Sequence, residues 1–165
     1  MTAASDYLED KLLDHTLRGS SGAFTAPGTV YVALFTTANN TQATALAAAL
    51  EANTSGTDAT TKFGYYEVHT SGSTNYVRQS ATFAAAGTTT TGTIETSTGI
   101  SFPIAGGNYQ SAGSTGSIVT HIALLDSSTI GSGNVLFFGA LTTDKTVSSG
   151  DQFTISAGNL SISLA

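Results

Sequence analysis

From Thr29 to Thr36 the chain reads Thr-Val-Tyr-Val-Ala-Leu-Phe-Thr, β-branched and aromatic, with apolar side chains at odd and even positions alike. A strand sends successive side chains to opposite faces, so one that is apolar on both needs cover on both. The segment predicts a strand lying between layers or at an interface, opened by the turn signal Ala26-Pro27-Gly28. Two later segments are as apolar, Ile118–Leu125 (IVTHIALL) and Val135–Leu141 (VLFFGAL), and Asp126–Asn134 between them carries hairpin-type turn residues. Weaker strand signals occur at Phe63–His69, Tyr76–Phe83, Ile100–Ile104 and Gln152–Ile155. Pro103 assigns the third of these to an edge. Leu160–Leu164 alternates strictly between apolar and polar, the mark of a strand with one buried face. Thr88–Gly92 reads as a turn or exposed edge, and glycine-rich Ala105–Gly116 as a loop. The class predicted is mainly β, a β-sandwich or distorted barrel of about eight short strands.

Ahead of the strands lies the one clear helical signal. Leu8, Leu12, Leu13 and Leu17 recur at spacings of four and five, which predicts an amphipathic helix with a single leucine stripe. Ser5 or Asp6 can cap its start, Asp6 and Glu9 have capping-box spacing, and Gly19 stops it. Two arrangements stay open: the stripe packs on the domain's own core, or it docks on a neighbouring subunit across the joint at Gly19–Gly22. The organisation predicted is an N-terminal helical arm and hinge at 1–22, followed by a β domain at 23–165. An irregular insert at 39–62 holds a short helix at Ala43–Ala52.

Composition removes most chemistries. Charged residues make up 10% of the chain and the net charge is −6, which argues against nucleic acid as a partner because phosphate neutralisation needs a Lys/Arg surface. The absence of cysteine excludes disulfides and thiolate chemistry. No apolar run approaches the roughly 18–20 residues of a membrane span, and the acidic flank of residues 1–18 is wrong for a secretory leader, so no membrane is expected. His15, His69 and His121 are scattered. Glu67 and His69, two apart, form the best metal-like pair, yet two ligands make a weak site and no metal is expected. His121 reads as a hydrogen-bonded histidine of a core or interface. Glu51, Asp58, Glu67 and Glu95 fall in loops or on polar strands where solvation accounts for them. No Gly-x-Ser-x-Gly elbow and no phosphate loop occur. Neither catalytic residues nor a cofactor are predicted. Arg78, one of two arginines, stands beside Tyr76, where it suits an ion pair between subunits or a stack on an aromatic ring; the alternative is an outward, solvated arginine. The interface residues predicted are Tyr7, Leu8, Leu12, Leu13, Leu17, Tyr76 and Arg78.

The order of these segments resembles a family of small tailed-phage virion proteins, commonly called phage tail fibre proteins. The residues that carry the likeness are Ala4–His15 (ASDYLEDKLLDH) with Arg18-Gly19, Phe24–Leu34 (FTAPGTVYVAL), Tyr76–Arg78 leading to Thr82-Phe83, and Ile100–Pro103 (ISFP). Val119–His121, Leu136–Lys145 (LFFGALTTDK), Gly150-Asp151 and Gly158–Leu164 complete it. Asn39–Ser73 departs from the shorter joint of that family. The resemblance implies a structural virion protein. No fixed-period repeat of a long fibre shaft is present, and a compact domain with a hinged arm suits a capsid decoration (cement) protein that clamps major capsid subunits. The other role implied is a tail-fibre or tail-tip module that binds a host receptor. Partners would be the major capsid protein or tail proteins of the same phage, and self-assembly, as a trimer, would multiply weak contacts.

Overall fold

A computed structural model describes residues 3–18, 24–69, 74–113 and 118–163. Among them run nine strands: β1 (Ala3–Ala4), β2 (Val30–Thr36), β3 (Gln79–Ala81), β4 (Thr93–Glu95), β5 (Ile100–Ser101), β6 (Ile118–Leu125), β7 (Val135–Thr146), β8 (Thr154–Ile155) and β9 (Ser161–Ser163). Two α-helices, α1 (Asp6–Leu17) and α2 (Asn40–Glu51), and a 3-10 turn at Phe63–Tyr65 accompany them. The main sheet is antiparallel, in the order β1-β7-β6-β2-β3, while β4 pairs with β9 and β5 with β8 as two-stranded ribbons. Strand outweighs helix, 31% to 18%, which makes the chain mainly β as predicted, and the described strands do not close into a barrel.

The doubly apolar β2 lies between layers. Val32 and Leu34 face one core with Ile122 and Leu124 of β6, together with Ile100 and Ile162 of the ribbons and the adjoining Phe153 and Leu160. Ala33 and Phe35 face the other, where Leu46, Ala49 and Leu50 of α2 cover the sheet together with Phe63 and Tyr66. All four β2 side chains are completely buried. Ribbons on one face and a helix on the other thus account for a strand with no polar side.

Several elements differ from their sequence signals for local reasons. Asn39 caps α2 by accepting from the Gln42 amide at 3.0 Å, so this helix starts before the predicted Ala43. Phe63–His69 is no strand: it makes a 3-10 turn and a single bridge, Phe35 to Glu67. Of Tyr76–Phe83 only β3 joins the sheet, and β5 stops two residues before Pro103. β7 runs past Leu141 to Thr146, but its register against β6 slips between Val119 and His121, leaving residues 141–144 opposite Thr120 alone. Leu160 and Ile162 are buried and Ser161 and Ser163 exposed, as alternation predicted. The Gly19–Gly22 joint lies outside the described residues, as do Leu164 and part of the 105–116 loop.

Candidate functional site

β1 fixes the root of α1. Ala3 and Ala4 pair with Phe138 and Phe137 of β7. Next, the Ser5 amide donates to the Leu136 carbonyl at 3.2 Å and the Ser5 hydroxyl to the Val135 carbonyl. The same hydroxyl oxygen accepts from the Leu8 amide at 3.3 Å, so Ser5, wholly buried, is the N-cap. Leu8 enters the sheet-and-ribbon core at 5% exposure, and Tyr7 packs against that core with the Lys11 ammonium 5.9 Å from its ring centre. Beyond Leu8 the helix leaves the body: Leu12 is 37%, Leu13 58% and Leu17 79% exposed. The single stripe predicted for the four leucines is not what forms. At 3.6 residues per turn Leu12 lies about 40° from Leu8, but Leu13 lies about 140° and Leu17 about 180° away. Leu8 anchors α1 in its own chain, and Leu13 and Leu17 make a ridge on the opposite side.

Tyr76 and Arg78, expected at a subunit boundary, face the interior of their own chain. The Arg78 side chain and that of Glu67 are both 0% exposed. Arg78 Nε donates to Glu67 Oε1 at 2.6 Å and Nη2 to Oε2 at 2.7 Å, a two-pronged pair. Nη1 donates to the Ser127 and Ser132 carbonyls at 2.7 and 2.9 Å. Glu67 also accepts from the Tyr76 hydroxyl at 3.2 Å and the Gly131 amide at 2.8 Å. The Tyr76 hydroxyl in turn accepts from the Leu34 amide of β2 at 3.0 Å. Burial, then the adjacent Glu67 carboxylate, raises the Tyr76 phenol well above its ordinary range. Both solvated readings, of Glu67 and of an outward Arg78, are corrected here: the two tie β2, the residues after the 3-10 turn and the 126–134 loop together. With both its oxygens occupied by these donors, Glu67 is not placed as half of a metal pair with His69. No group of three His, Cys, Asp or Glu side chains able to hold a metal occurs among the described residues.

Glycines complete the node, and sequence reading missed them. The Gly56 amide donates to the Gly131 carbonyl at 2.8 Å. A Cβ on Gly64 would stand 2.5 Å from the Gly56 carbonyl oxygen and closer still to the Gly131 Cα. Gly131 has φ +69, a left-handed conformation that aims its amide at Glu67. Asn53, also left-handed at φ 49, accepts from the Val135 amide at 2.8 Å and donates to Asn134 at 3.0 Å.

The remaining titratable groups are dispersed. His121, half-buried in β6, has its Nδ1 2.9 Å from the Thr120 hydroxyl, and burial lowers its pKa against the opposing pull of Asp144. His15 Nδ1 accepts from the Phe24 amide at 3.2 Å. Glu51, at the end of α2, is raised first by burial and then by Asp6 and Glu9, so the start of α1 and the end of α2 form one acidic patch. An open groove of about 630 Å³ with mixed polar and apolar walls runs between the far end of β7 and residues 151–156, lined by Leu141, Thr143, Lys145, Gln152, Phe153 and Ile155 among others. No described helix is long and apolar enough to cross a membrane.

The molecule is thus a mainly β body braced by the buried Glu67–Arg78 pair, with a helix rooted at Ser5 and Leu8 whose outer leucines, Leu13 and Leu17, are exposed. Residues 3–163 match the family described as podophage GP4 fiber I protein gp80, and the chain belongs to that family. It is a bacteriophage virion structural protein of the fibre class. Comparison with curated proteins gave no match.

Proposed function

We propose that this chain is a structural subunit of a phage tail fibre, that it holds neighbouring virion proteins through the projecting part of α1, and that it performs no chemistry. The observation that carries the proposal is the fibre family's match over nearly the whole chain. Two features of the molecule support it. The buried Glu67–Arg78 pair has its polar atoms bonded within the chain, so it acts as a brace rather than a reactive centre. The ridge of Leu13 and Leu17 is exposed on a rooted helix, the form taken by an amphipathic segment that seats in a partner's groove. Capsid decoration, the role a compact domain with an arm first suggested, has no support from the family description. Gold labelling of the protein in intact particles tests the proposal. Label on the tail is the expected result, and label confined to the head overturns it.

A further inference from the structure

We infer that the outer ridge of α1 seats in an apolar groove rimmed by lysine or arginine on a different virion protein, and not on a second copy of this chain. The inference rests on the proposed holding role of α1 and adds the chemistry of what it holds. Leu13 and Leu17, four apart, stand one above the other on adjacent turns and form a short exposed ridge. Carboxylates border the ridge. Glu9 and Asp10 lie one turn before Leu13, Asp14 stands three residues before Leu17, and Asp6 begins the same side of the helix. Glu51 of α2 feels Asp6 and Glu9 and extends this negative surface past the helix start.

Two such ridges brought together would set carboxylate against carboxylate at several positions, which disfavours a homotypic contact. The chain also has few cations to offset that repulsion, five in all. Arg78 is sealed in the core. Lys11 and Arg18 project from the Tyr7 side of α1, about 120–140° around the helix from the ridge; Lys11 lies over Tyr7, and Arg18 is 3.0 Å from Asp14. Lys62 and Lys145 belong to separate elements, before the 3-10 turn and near the end of β7, and do not make a rim. Apolar contact flanked by acid therefore calls for a basic-rimmed groove supplied by another protein. The like-signed surface of an anionic membrane is disfavoured on the same ground.

The probe is a preparation of phage particles grown without this protein, to which the purified full-length chain is added and pelleted at NaCl from about 0.05 to about 0.5 M. The wild-type chain is expected to bind and to weaken as salt rises. Leu13→Asp/Leu17→Asp should lose about 100-fold in affinity, whereas Leu13→Met/Leu17→Met should bind like wild type. Glu9→Gln/Asp10→Asn should weaken binding about tenfold at low salt and flatten the salt dependence. Circular dichroism should be unchanged in all three and melting should move by no more than a few degrees, because these side chains are exposed and touch only the helix dipole. Three results would overturn the inference: no binding by the wild-type chain, salt-independent binding, or self-association in sedimentation equilibrium that Leu13→Asp/Leu17→Asp abolishes. Salt-sensitive, α1-dependent binding at the head would sink the fibre role and leave this inference standing.

Discussion

Replacing Arg78 by methionine keeps much of the aliphatic stem and removes every guanidinium donor, so it isolates what the buried pair contributes. The substitution deprives Glu67 of two bonds, at 2.6 and 2.7 Å, and leaves only the Tyr76 hydroxyl and the Gly131 amide facing a carboxylate that water does not reach. It also strips the Ser127 and Ser132 carbonyls of their donor. Breaking a buried pair from one side costs about 3–5 kcal/mol. Since a domain has about 5–15 kcal/mol in total, that is a large fraction of its stability. At this chain length each kcal/mol moves the melting temperature about 2–4 °C, so a fall of roughly 6–20 °C is expected. Urea unfolding followed by far-ultraviolet circular dichroism and by tyrosine fluorescence measures it. Glu67→Leu/Arg78→Met, which removes both charges, should cost clearly less than the two single changes added together. A loss below about 1 kcal/mol for Arg78→Met is what a solvated surface pair gives, and it would refute the argument.

Gly64→Ala drives a methyl group into the backbone of Gly56 and Gly131 and should destabilise by at least about 3 kcal/mol, measured by the same unfolding curve. Ser5→Ala removes the α1 cap and the donor to Val135; a loss of about 1–2 kcal/mol is expected in thermal melts. His121 has a lowered pKa in the folded chain, so the unfolded chain binds its proton first as pH falls. Stability should be full above about pH 6.5 and decline below it, and His121→Gln should remove that part of the slope in melts taken from neutral to mildly acid pH.

The strands that were legible in the sequence are those whose neighbours the pattern itself implies. Ile118–Leu125 forms over its predicted span, and the doubly apolar β2 lies between two layers as its composition required. Phe63–His69 carries strand-forming residues but has only one bridge to β2: residues 63–65 wind into a 3-10 turn, with Gly64 packed closely on the backbone of Gly56 and Gly131, and the Glu67 side chain beyond it pairs with Arg78. Neither the Glu67–Arg78 pair nor the approach of Gly64 to Gly131 has a signal within the segment itself. The scarcity of arginine does single out Arg78, though the partner it finds is an intrachain carboxylate whose sequence context points to solvation. The leucine spacing located α1 but misjudged its faces, since residues five apart point in widely different directions on a helix.

The attachment of α1 also determines where a pull on it would go. Tension applied at Leu13 and Leu17 travels down the helix to Leu8 and Ser5, and from there into the ladder between β1 and β7. The strain is received by the five-stranded sheet rather than by a loose tether. A tug from outside through such a strut would reach the sheet by way of two paired alanines and the hydrogen bonds of Ser5.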